Sequence, residues 1–157
     1  MARINAALSG PPVRLLVLES GTLGSEISAW LPPSPDGLNE DTVVLQQSAA
    51  DVPATAALKV IHRLAALRRS GRKIGRSFLL VAPDIDAKRM AARHLVACAL
   101  CSVSAEVVIA TDANAPVGIR KQLARLVEEL TGEHGYQDVP VALTFDAHFA
   151  AAGFRPA

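Results

Sequence analysis

The sequence predicts an α/β domain: a single three-layer unit with a mixed, mostly parallel sheet of about five strands and helices on both faces. Three observations carry this. Apolar runs of strand length recur along the chain and give way to helical periodicity, most plainly Ser77-Phe78-Leu79-Leu80-Val81-Ala82 leading into a helix from Ala87 to Ser102. Repeated strand–helix alternation in the second half calls for parallel strands joined by right-handed crossovers. A chain of 157 residues, half of them hydrophobic, can bury one core without staples.

Residues 1–12 read as a lead-in closed by Gly10-Pro11-Pro12. Residues 13–147 form the predicted domain, and 148–157 a tail. Val13 to Leu18 is nearly continuous in apolar residues, the pattern of a central strand. Glu26 to Leu31 reads as a second strand, ended by the proline-rich stretch from Pro32 to Gly37. Thr42 to Gln47 is a β-branched strand closed by two glutamines. A strand-rich opening of this kind predicts at least one antiparallel pairing.

Pro53 suits the first turn of a helix running to about Ser70, capped by Asp51 or a neighbouring serine and stopped by Gly71. Leu58, Ile61, Leu64 and Ala65 share one face of it. After the strand Ser77–Ala82, the central helix carries Lys88, Arg89 and Arg93, read as solvent-facing. Its second half, Leu95 to Cys101, has no polar side. Glu106 to Thr111 is the next strand. Ile119, Leu123, Leu126, Val127 and Leu130 then mark a helix ended by Gly132, and Val139 to Phe145 an edge strand, where Pro140 costs least. This order of elements is similar to ribonuclease-H-like and flavodoxin-like architectures, which host many unrelated functions, so it assigns no family.

Charge is segregated along the chain. Residues 52–104 hold ten Lys and Arg against Asp84 and Asp86 alone, while the flanking thirds are net acidic. The basic run Lys59, Arg63, Arg68, Arg69, Arg72, Lys73 and Arg76 could dock nucleic acid or an acidic protein. A solvated helix face with favourable charges at its C-terminus explains the same residues, and no interleaved aromatics accompany them.

Carboxylates predicted at the strand ends, Glu19, Asp84, Asp86 and Asp112, could hold Mg²⁺ and hydrolyse a phosphodiester. Capping is the stronger reading of the aspartates, which stand just before helices, and leaves only Glu19 without that explanation. Gly21-Thr22-Leu23-Gly24-Ser25 offers amides and hydroxyls but lacks the lysine of a phosphate-binding loop, and reads as a turn. His94, Cys98 and Cys101 share a helical face and are the candidate zinc ligands, short of a complete site. Small core cysteines are the plainer reading.

With no complete catalytic motif, the sequence predicts a non-catalytic interaction or assembly module. It would use no cofactor, and would self-associate or dock a protein partner through Leu95, Val96, Ala99 and Leu100. Mg²⁺-dependent phosphodiesterase or nuclease activity and nucleic-acid binding are the alternatives, and Zn²⁺ at His94, Cys98 and Cys101 is the other candidate cofactor. No apolar run is long enough to span a bilayer, no secretory leader is read, and a cytoplasmic setting is expected.

Overall fold

The computed structural model describes residues 12–19, 41–47, 52–81, 85–111, 115–133, 135–136 and 138–145, with the side chains of Glu19 and Phe145 excepted. They form five strands and three helices. In order these are β1 (Val13–Glu19), β2 (Asp41–Gln47), α1 (Pro53–Arg69), β3 (Ile74–Leu80), α2 (Ala87–Val103), β4 (Ser104–Thr111), α3 (Val117–Thr131) and β5 (Val141–Phe145).

The sheet order is β2-β1-β3-β4-β5, and every pairing is parallel. The expected mixed sheet is therefore corrected to a parallel one. The antiparallel expectation rested on a strand-rich opening. In fact β1 and β2 are separated by residues 20–40, a connection long enough for a crossover instead of a tight turn. The predicted strand Glu26 to Leu31 lies outside the described residues.

Side-chain alternation sorts the sheet into two faces. Leu15, Val17, Leu79, Val107 and Ile109 meet the three helices, as does Val81 just past the end of β3. Leu16, Leu18, Phe78, Leu80 and Ala110 form a separate buried cluster on the opposite face. Both faces are covered, as in a three-layer α/β domain and as parallel sheets require. β3 begins at Ile74, three residues ahead of the expected start, and its register against β1 shifts between Val13 and Leu15.

The helices are seated by small residues. Ala56, Ala57, Val60 and Leu64 are the buried positions of α1, so its apolar stripe is rotated from the expected one and Leu58 is 55% exposed. Its end is as predicted: Gly71 adopts φ 83° and donates its amide to the Arg68 carbonyl. Asp86 caps α2 by accepting the Arg89 amide at 2.8 Å. Leu123, Leu126 and Leu130 anchor α3, and Ile119 and Val127 pack beside them.

Candidate functional site

Helix α2 was expected to present an apolar surface, and the structure divides that surface. Val96, Ala97 and Leu100 are fully buried and Cys101 is 3% exposed, all within the core the chain itself supplies. Cys98 and Ala99 are half-buried, and Leu95 is 52% exposed. Val96 and Leu100 are therefore core residues and not free interface residues. What remains outside is a narrow strip, Ala91, Leu95 and Ala99, one turn apart along the helix.

Arg93 also differs from expectation, being 2% exposed instead of solvent-facing. It stands three and seven residues before Val96 and Leu100, on the same buried stripe. Its side chain is not without a partner.

Next to the exposed strip of α2, and sharing Ala91 with it, a groove of about 260 Å³ separates α2 from α3. Met90 and Leu126 line it together with His94, Gln122, Arg125 and Glu129. His94 Nε2 stands 3.5 Å from Glu129 Oε2, an ion pair when the imidazole is protonated. Glu129 comes from a different helix, 35 positions further along, so no local spacing announced the pair.

The cysteines behave as core residues. Burial pushes the Cys101 thiol up to about 11, aided by the neighbouring Cys98. Burial also raises Cys98, with the Glu129 charge adding to it. Both thiols are free and neither is activated as a nucleophile. Among the described residues, no group of three or more His, Cys, Asp or Glu could hold a metal ion. His94, Cys98 and Cys101 do not form such a group.

Because all five strands are parallel, their carboxyl ends share one edge, where open α/β sheets bind ligands. Asp86 lies near that edge with its carboxylate occupied by the α2 cap and 3.8 Å from Arg89 Nε. Asp84, Asp112, the Glu19 side chain and Gly21 to Ser25 lie outside the described residues. Thr111 ends β4 with its hydroxyl donated to the Val81 carbonyl at 2.7 Å. Gln47 ends β2 beside Glu19, is 4% exposed, and its Oε1 accepts no hydrogen bond.

The basic run is split by the fold. Lys59, Arg63, Arg68 and Arg69 are exposed on α1, which contains no acid, and Lys73 is exposed beyond it. Arg72 Nη2 instead donates to Asp41 Oδ2 at 2.7 Å. Arg76 is 8% exposed, with its guanidinium 5.5 Å from the centre of the Phe78 ring. Arg76 belongs to the body of the sheet, and Arg72 is paired from the connection before β3 to the first residue of β2.

No helix among the described residues is long and apolar enough to cross a membrane. Comparison with protein-family models, with curated proteins and with solved structures returns no match.

Proposed function

We propose that this chain is a non-catalytic α/β interaction module that self-associates through the outer strip of α2. One observation carries the reading: Leu95 is 52% exposed in a helix whose inner side is wholly buried. Ala91 and Ala99 flank it one turn to either side, small enough for a second helix to approach closely. A lone exposed leucine is common on protein surfaces; the alanines above and below make this one a stripe. Two unreactive free thiols suit the reducing, cytoplasmic setting that belongs to the same proposal.

Light scattering across a concentration series tests it. Leu95→Glu is expected to weaken association by roughly tenfold or more, since it buries a charge at the contact. A chain that is monomeric at every accessible concentration, or an association indifferent to Leu95→Glu, sinks the reading.

A second reading, docking of a polyanion such as nucleic acid, is favoured by the acid-free surface of α1. Lys59, Arg63, Arg68, Arg69 and Lys73 are its exposed cations. Binding of a DNA duplex would weaken steeply with salt, and each phosphate contact removed by Arg→Gln would lower the log–log slope by about 0.9. Absence of binding at low salt rejects it.

A further inference from the structure

Among the described residues, Val52 and Val117 are exposed at the starts of α1 and α3, and Leu58 and Leu95 within α1 and α2. Helices α1 and α2 pack against each other. The side of α1 turned to β2 is marked by Arg63, Ala66, Leu67 and Ser70. Leu58, Ile61 and Ala65 stand about 140–160° round the helix from Arg63, on the side toward α2. On α2, His94 marks the side toward α3. Leu95 and Ala99 stand about 100–140° round from it, outward and toward α1. The two exposed leucines thus border one apolar seam, with half-buried Ile61, Ala65 and Ala99 along it.

Neither helix contains an aspartate or a glutamate. Beside the seam, α1 carries Lys59, His62, Arg63, Arg68 and Arg69, and α2 carries Lys88 and Arg89. The described acids around them are engaged: Asp86 by the α2 cap and Arg89, Asp41 by Arg72. Glu129 stands beside His94, on the side of α2 toward α3. Asp51 and Asp84 precede the two helices in the chain, whereas Arg68 and Arg69 close α1. The positive sign of the seam therefore rests on no single pair.

We infer that this seam receives an acidic amphipathic helix of another protein, apolar along one side and flanked by carboxylates. The inference rests on the exposed Leu95 of the preceding reading but names a different occupant, so the two compete for that residue. Charge selects against a second copy laid along the whole seam, which would set acid-free helices against each other. A nucleic acid would use the cations but leave Leu58 and Leu95 against water, and neither helix offers an aromatic ring to a base. A third helix instead fits the furrow between two packed ones, with apolar anchors at i, i+3, i+4 and i+7.

Fluorescence anisotropy on the full chain tests it with a labelled peptide of leucine and glutamate, about 20 residues long, its leucines on one helical side. The comparisons are the same composition scrambled, lysine in place of every glutamate, and a DNA duplex. The patterned acidic peptide should bind roughly tenfold or more tighter than the scrambled and lysine peptides. Leu58→Glu and Leu95→Glu should each weaken it by roughly tenfold, and R68E/R69E should weaken it in the same direction. No binding at low salt, equal binding of the scrambled peptide, or indifference to Leu58→Glu overturns the inference. Duplex binding without peptide binding overturns it in favour of the polyanion reading. Peptide binding by a chain that stays monomeric upholds the seam and overturns self-association. Self-association that is lost in Leu95→Glu, in a chain that does not bind the peptide, does the reverse.

Discussion

Leu100→Ala is expected to lower the free energy of unfolding by about 2–5 kcal/mol, while Leu95→Ala changes it by less than about 0.5 kcal/mol. The two leucines stand five positions apart in α2, with exposures of 0% and 52%. Truncating Leu100 removes buried methyl groups and leaves a hole between α2 and the sheet, which close-packed neighbours refill only in part. Truncating Leu95 removes surface that water already touches. Denaturant unfolding measures both, and an unchanged denaturant slope would show that the midpoint shift reports stability alone. Equal losses from the two would mean that α2 is not seated as described, and the division of its surface into core and exposed strip would fail with it.

Phe78→Ala carries the other large effect, about 3–5 kcal/mol. Phe78 sits in β3 at the middle of the sheet, 2% exposed, on the face away from the three helices. Its loss would strip the cluster it forms with Leu16, Leu18 and Leu80. It would also remove the ring beneath Arg76, itself 8% exposed. A stacked and partly desolvated guanidinium is worth about 1–2 kcal/mol. A double-mutant cycle with Arg76→Met and Phe78→Leu isolates that part. A coupling energy near zero would show that Arg76 is held by its other contacts, and that the ring acts only as apolar volume.

Much of the fold was legible because each element carries its own local signal. The apolar runs beginning at Val13 and Thr42 read as strands, and the Leu123, Leu126, Leu130 stripe read as a helix face. Gly71 and Asp86 took the end positions their backbone and side-chain chemistry favours. The direction of β2 was not legible, since a seven-residue strand has the same pattern whether its neighbour runs parallel or antiparallel. The start of β3 at Ile74 was hidden for a related reason. Gly75 and Arg76 are poor strand residues by themselves, and Arg76 and Ile74 are held in the sheet by pairing with Glu106 and Ser104 of β4.

The candidate interface was half legible. An apolar segment without a polar side can be recognised in the sequence, but which of its residues the chain covers depends on what packs there. Ala56, Ala57 and Ala92 allow the helix layer to settle so closely that Val96 and Leu100 vanish into the core. Arg93 shows the opposite failure: charge suggested an outward residue, whereas its place three before Val96 on the stripe decided the matter. The pair His94 and Glu129 joins two helices, and no spacing within either one encodes it.

The sequence by itself determined where most of the described strands and helices occur, and how α1 stops and α2 starts, at Gly71 and Asp86. These follow from periodicity, caps and turn residues, which act within a few positions of the chain. Only the tertiary structure decided that every pairing among the described strands is parallel, that β2 and β5 are the outermost of them, and that Leu95 alone among the large residues of its segment stays outside. The physical reason is that burial and strand pairing are properties of neighbours distant in the chain. Contact between them is settled when the layers close, and not by the local pattern of any one segment.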